Sequence, residues 1–194
     1  MDARVTEFQC IMPMVNIPSV LQHGILSYEQ TTKLAHKSVA MQPVQDRRDA
    51  KRVPGGLMLH RYANLYFHAR NPMMFSRKEE APMLCVLRVS TDLEKFAGVV
   101  FADRNASSDW VRFLQPSQWH LLDFDRIYAK DWRDPDRFAY YDKKLKKCAE
   151  ILVPERVELR FITGAYVADA TAVERLAAFG FALPIAIDPD LFFR

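Results

Sequence analysis

The sequence has no uninterrupted apolar run approaching the roughly 20 residues that cross a bilayer, and its first residues, with Asp2, Arg4 and Glu7, lack the apolar segment of a secretion signal. A soluble, cytoplasmic protein with no membrane partner is expected. Cysteine is scarce. Cys10, Cys85 and Cys148 form no CxxC pair and cannot all pair with one another, which argues against a disulfide framework and suits a reducing compartment. The five histidines include no HxxxH pair and none adjoins a cysteine, so no metal is assigned. Neither GxGxxG nor GxxxxGK[ST] occurs, so any dinucleotide is bound outside the Rossmann and P-loop modes. An excess of one charge is also lacking: 27 Lys and Arg against 24 Asp and Glu leave a net +3, a faint pull on anionic partners that decides nothing alone. What the chain does have, at 194 residues and 49% hydrophobic content, is enough for one well-buried core and little for a second, so residues 1–194 are expected to form a single domain.

Along the chain, residues 8–26 read as strand, turn and helix, with Asn16 placed to cap a helix carrying Ile17, Val20 and Leu21, and Gly24 placed to end it. From Ser27 to Pro54 the periodicity disappears and the composition turns polar and basic, which predicts a long loop or a loosely helical excursion; segments of that kind are more often functional than idle. Residues 64–67, 83–89 and 98–101 are apolar, aromatic and branched, as buried strands are. Residues 118–147 read as helices broken near Asp134-Pro135. Strands are expected again at 151–153 and where Val157, Leu159 and Phe161 alternate with charge. A helix with Thr171 and Glu174 spaced as a capping box follows, buried through Val173, Leu176 and Ala177, and then an edge strand at 183–187, since Pro184 cannot donate to a central ladder. Strands and helices do not alternate strictly. The fold class is therefore α+β, a mixed sheet with flanking helices and a long loop.

Three features carry possible chemistry. Residues 45–52 place Arg47, Arg48, Lys51 and Arg52 in eight positions, which suits either a solvated charged face or a clamp for phosphates made by guanidinium forks. Lys143, Lys144, Lys146 and Lys147 follow Tyr140 and Tyr141; rings beside lysines are what a single-stranded nucleic acid needs, though ordinary surface packing gives the same pattern. Glu150 stands where a basic segment meets an apolar strand, an arrangement expected to fix its backbone and leave its carboxylate near the surface of the sheet, able to orient a hydroxyl or stabilise a developing cation. A cysteine nucleophile is disfavoured because no cysteine has a base partner in sequence.

Read in order, several short motifs give the chain a family resemblance. They are Asn16-Ile17-Pro18-Ser19-Val20-Leu21 with Gly24-Ile25-Leu26, Gln45-Asp46-Arg47-Arg48, Pro54-Gly55-Gly56 with Leu59-His60-Arg61-Tyr62, Tyr66-Phe67 and Arg70-Asn71-Pro72-Met73-Met74-Phe75, Phe101-Ala102-Asp103-Arg104-Asn105, and Ala149-Glu150-Ile151-Leu152-Val153. Together they resemble the DarT family of DNA ADP-ribosyltransferases, toxins of toxin-antitoxin pairs that are similar in fold to the poly-ADP-ribose polymerase branch of the transferases. The resemblance implies an ADP-ribosyltransferase-like mixed sheet and NAD+ as co-substrate. It makes Glu150 the catalytic glutamate, holding the nicotinamide ribose and its developing charge, and makes Arg48 the arginine beside the target base. Cys10, Asn16, Arg47 and Tyr66 would bind the dinucleotide. The segment before Glu150 would be the substrate-recognition loop, so that Lys51, Arg52, Tyr140, Tyr141, Lys143, Lys144 and Lys147 meet single-stranded DNA, with RNA also possible. A cognate antitoxin that processes ADP-ribose is the implied protein partner.

One departure stands out. Where the family has a His-x-Thr-His element that contacts the dinucleotide, this chain has Cys10-Ile11-Met12-Pro13. Two readings therefore stay beside DNA modification: transfer to RNA or protein, and a nucleic-acid-binding module without turnover.

Overall fold

The structure, a computed structural model, describes residues 2–38 and 42–194. The chain opens with β1 (Phe8–Pro13), a 3-10 turn, α1 (Ile17–His23) and β2 (Ile25–Leu26), then α2 (Tyr28–Thr31) and α3 (Gln42–Asp49). Next come β3 (Tyr62–Tyr66), α4 (Pro72–Ser76), β4 (Leu84–Val89), β5 (Val100–Ala102) and β6 (Phe113–Leu114). The remaining elements are α5 (Phe124–Ile127), α6 (Arg137–Lys146), β7 (Glu150–Pro154), β8 (Arg156–Val157), β9 (Ile162–Val167), α7 (Ala170–Ala178) and β10 (Ile185–Ile187).

Eight strands form one sheet in the order β10-β9-β4-β1-β3-β7-β5-β6, and β2 pairs with β8 apart from it. The sheet is mixed: β10 runs parallel to β9 and the other neighbours are antiparallel. Phe8, Phe67, Phe101 and Phe124 meet edge to face at centroid separations of 5.2 to 6.2 Å, tying β1, β5 and the helical layer into one apolar centre. The expected edge strand is found at β10, where Pro184 precedes the ladder at the end of the sheet.

Four local expectations are corrected. Asn16 does not cap α1; its amide bridges the backbone of Lys37, donating to the carbonyl at 2.8 Å and accepting from the N–H at 2.9 Å, and so fastens the returning chain instead. The stretch through Val157, Leu159 and Phe161 breaks after β8 into a 3-10 turn, and the strand is β9 just beyond it. Gly164, which interrupts the apolar pattern there, is required because a Cβ would lie 2.6 Å from the carbonyl oxygen of Pro184, just before β10. The cap of α7 is Asp169, accepting from the Ala172 N–H at 2.8 Å, so the helix starts before the Thr171 box. Its buried residues are Ala172 and Leu176, with Ala177 exposed. Within the excursion from Ser27 to Pro54, α2 and α3 are helical, while residues 39–41 lie outside the described residues.

Candidate active site

The site begins at a gap in the sheet. β1 pairs with β4 from Phe8↔Val89 to Pro13↔Leu84, but meets β3 at Gln9↔Tyr66 alone, so the two strands part beyond that point. The parting leaves backbone groups of residues 10–13 without a strand on that side, and such groups must find a partner. A cleft of about 590 Å³ opens there, lined among others by Cys10, Asn16, Arg47, Tyr66, Lys144 and Glu150. That volume falls within the roughly 300 to 1,000 Å³ typical of small-molecule sites. Gly24 shapes the cleft from the far side. Its φ of +77° and a would-be Cβ 2.1 Å from the Val157 carbonyl oxygen admit no side chain where β2 closes on β8.

Glu150 is the first residue of β7, opposite Tyr66 on β3 and Ala102 on β5. The expectation that its carboxylate sits near the surface is corrected: the residue is 0% exposed. A buried carboxylate needs partners, and three hydrogen bonds supply them. Arg48 Nη1 donates to Oε1 at 3.2 Å and to Oε2 at 2.9 Å, and the Ala106 N–H donates to Oε1 at 2.9 Å. Each carboxylate oxygen offers about two lone-pair sites. Oε1 is therefore satisfied, and Oε2 keeps one acceptor position that no protein group fills.

Arg48 reaches Glu150 from α3, a helix whose other residues stay at least partly exposed and which has no apolar stripe to dock it. Polar ties hold it instead. His60 lies 3.1 Å from Gln45 Oε1 through Nε2 and 3.4 Å from Asp49 through Nδ1, under the ring of Tyr28 at 4.3 Å. Just past the helix, Lys51 Nζ donates to the Ser107 carbonyl at 2.8 Å and to Asp109 at 2.9 Å. That contact joins the arginine helix to the loop bearing Ala106. Arg47, exposed on the same helix, lines the cleft and makes no hydrogen bond or ion pair among the described residues, and Arg52 donates to the Gly56 carbonyl.

The basic segment before Glu150 is the helix α6. Tyr140 and Tyr141 meet at 5.3 Å, Lys144 lies 5.6 Å over the Tyr140 ring, and Tyr141 and Lys144 line the cleft. Lys143 is paired with Asp134. Lys147 is a correction. It is 1% exposed, with its ammonium donating to the Ile127 carbonyl at 2.8 Å and facing His68 Nδ1 at 3.0 Å, so it serves the interior and meets no phosphate at the surface. Burial, and next the nearby Arg70 charge, push its ammonium down to about 8.

The cysteine thiols are all buried, and burial pushes Cys10 and Cys148 up to about 12 and Cys85 higher still, leaving no thiolate to act as nucleophile. Cys10 can meet a ligand through its backbone on β1. Burial, and next the Glu150 charge, also hold the Tyr66 phenol protonated, and it donates to Met73 Sδ at 3.5 Å. Among the described residues no group of three His, Cys, Asp or Glu is placed to hold a metal, and no helix is long and apolar enough to cross a membrane.

Sequence reasoning missed Ala106 and His60. A backbone N–H carries no side-chain signal, but Asn105, whose Oδ1 accepts from the Ser107 N–H and hydroxyl at 2.9 and 2.7 Å, marks the turn that presents it. His60 acts across 15 residues, and no local pattern announces it.

A model of the family described as ssDNA thymidine ADP-ribosyltransferase, DarT, matches residues 10–193. The chain is 29% identical over 206 residues to a DNA ADP-ribosyl transferase-DNA ADP-ribosyl glycohydrolase fusion protein of Thermosipho africanus, across 100% of this chain and 51% of that protein. It therefore spans about half the length of this relative. The solved structure of Thermus sp. 2.9 DarT in complex with ADP-ribosylated ssDNA superposes with a TM-score of 0.82 at 25% identity, covering 97% of this chain and 96% of that one. The same Thermus protein in complex with NAD+ superposes at 0.78 with 23% identity, over 97% and 98% of the two chains.

Proposed function

This chain belongs to the DarT family of ssDNA thymidine ADP-ribosyltransferases, and on that premise we propose that residues 1–194 act as one catalytic domain that transfers ADP-ribose from NAD+ to a thymidine base of single-stranded DNA. The observation that carries the reading is the buried Glu150 carboxylate in the cleft wall, held by Arg48 and the Ala106 N–H with one acceptor position that no protein group fills.

The chemistry follows from those partners. The bond between ribose C1′ and the nicotinamide nitrogen breaks, nicotinamide leaves with the electron pair, and positive charge develops on the ribose. Glu150 Oε2 accepts from a ribose hydroxyl and its charge stabilises the forming cation in a site shielded from water. C1′ then bonds to the thymine base, and the base loses its proton to solvent. A guanidinium is a poor base, so the part of Arg48 is to stabilise negative charge on the base as that proton leaves. The open backbone of Cys10 on β1, together with Asn16, Tyr66 and the uncommitted Arg47, is suited to the dinucleotide. Arg52, Tyr140, Tyr141 and Lys144 are suited to the strand; Lys51 and Lys143 would join them only by releasing Asp109 and Asp134. Because the Thermosipho relative carries a glycohydrolase in the same chain, the proposed role is a cytoplasmic toxin opposed by a partner that removes ADP-ribose. Retention of the Arg48–Glu150 pair favours an active enzyme over a binding module, despite the departure at Cys10-Ile11-Met12-Pro13.

The test is to incubate the purified chain with NAD+ labelled in its ADP-ribose part and with separate pools of single-stranded DNA, RNA and protein. Label is expected on thymidine-containing single strands, and Glu150→Gln is expected to lower transfer by about 10²- to 10³-fold. Label on RNA or protein alone would replace the substrate, and turnover by Glu150→Gln at the parent rate would remove the residue from the chemistry.

A further inference from the structure

The loop joining β5 to β6 holds one large ring away from the protein. Trp110 is 80% exposed, whereas tryptophan is ordinarily buried over most of its surface. The loop beneath it is firmly built. Asp103 accepts from Arg112 at its backbone N–H (2.9 Å) and its guanidinium (2.8 Å), and the Asp103 N–H returns to the Arg112 carbonyl at 3.1 Å. Inside that closure Asn105 fastens Ser107, the Ser108 hydroxyl accepts from the Trp110 N–H at 3.3 Å, and Lys51 clasps Ser107 and Asp109. The indole is thus presented on a braced turn.

Position gives the ring its use. Ala106, whose N–H holds Glu150, lies four residues before Trp110, a span that cannot exceed about 14 Å of extended chain. Asn105 and Ser107, on either side of Ala106, line the cleft. Cations surround the turn: Lys51 bonds to Asp109, next to the indole, Arg47 acts electrostatically on the same carboxylate, and Arg112 closes the loop. An exposed flat ring within reach of the reacting centre offers a face for a base, and Arg47, without an ion pair among the described residues, supplies positive charge nearby for a phosphate, while Lys51 and Arg112 are held by Asp109 and Asp103. A protein partner would be served by a broader apolar patch, and Asp109, Arg112 and the half-buried Val111 around the ring do not make one.

We infer that Trp110 is a stacking platform for a base that flanks the modified thymidine and so helps select the strand. This rests on the function proposed above and adds a subsite to it. Trp110→Ala is expected to raise the KM for a single-stranded oligonucleotide about 5- to 150-fold, the loss of one base–ring stack, with the change falling on that KM and not on the KM for NAD+. Trp110→Phe, which keeps a ring, is expected to recover most of it. Oligonucleotide should also quench tryptophan emission in the parent and not in Trp110→Phe, since Trp132 is buried and Trp119 half-buried. The exposed ring supports no packing, so equal melting temperatures will show that the variants are folded. If the parent modifies DNA and Trp110→Ala does so with the same oligonucleotide KM, the inference falls and the function stands. If the parent itself neither binds nor modifies any single strand, both fall. Emission that responds to a protein pool and not to oligonucleotide assigns the ring to a protein and overturns the inference.

Discussion

At the scale of single residues, the Arg48–Glu150 pair shows how a carboxylate can be held out of water by a guanidinium and a backbone N–H. Taking both groups from solvent is costly, and the 2.9 Å contact with the Ala106 N–H beside it offsets that cost without adding much net stability. Removing one partner is different, because the other is left buried and uncompensated. Arg48→Ala is therefore expected to destabilise the fold by about 3 to 5 kcal/mol and to abolish most transfer. Arg47→Ala, at an exposed position with no hydrogen bond, should melt as the parent does and lose activity chiefly through a raised KM. Calorimetric melting with transfer rates for both variants checks the contrast. Equal and mild losses would reduce the two arginines to a shared phosphate clamp.

At the scale of elements, α3 and α6 carry the site's cations yet neither is docked by an apolar face; no residue of α6 is fully buried. Past its end, α6 is anchored by Lys147, which reaches Ile127 and His68. Because a lysine only donates, His68 Nδ1 must accept, which selects the neutral ring with its proton on Nε2. Burial, and next Lys147 and Arg70, lower His68 to about 3 from its ordinary 6.5. Between those values the unfolded chain binds a proton that the folded one refuses, so stability is lost as the pH falls from about 6.5 towards 3. Lys147, lowered to about 8 from 10.5, gives the same sign on the alkaline side, with stability gained as the pH rises across that interval. Melting temperatures measured against pH should show both limbs. His68→Gln, which keeps an acceptor for Lys147, should flatten the acid limb alone; an unchanged acid limb would show that His68 is charged in the fold.

At the scale of the whole molecule, a net charge of +3 gives no strong long-range pull, so the proposed strand binding would have to come from a few local contacts. Each phosphate contact on a single strand contributes about 0.7 to the slope of log affinity against log salt. Lys144→Ala, at the cleft, is expected to make that slope shallower by about this amount. Lys147→Ala should leave the slope alone and lower the melting temperature, since its ammonium is internal. Titrations with a single-stranded oligonucleotide over a range of salt separate the two, and an unaltered slope for Lys144→Ala would take α6 out of the strand's path.

The sequence by itself determined the α+β class, most strand positions and the family, and it singled out Glu150 and Arg48, which the fold brings together, because apolar runs and ordered motifs are local and survive without coordinates. Residues 27–54 read in sequence as a long loop or a loosely helical excursion; among the described residues α2 and α3 are helical, and α3 is held by His60, Glu150 and the loop at 105–109, none of which its own period could show. Only the tertiary structure decided that Glu150 is buried, that Lys147 faces inward and Trp110 outward, and that a backbone N–H from Ala106 completes the carboxylate's shell. Those outcomes depend on which strand lies beside which and where β1 parts from β3. A one-dimensional pattern records the charge and size of a side chain, while its burial and its partners are fixed by distant segments, as Arg48 and Glu150 meet across 102 residues.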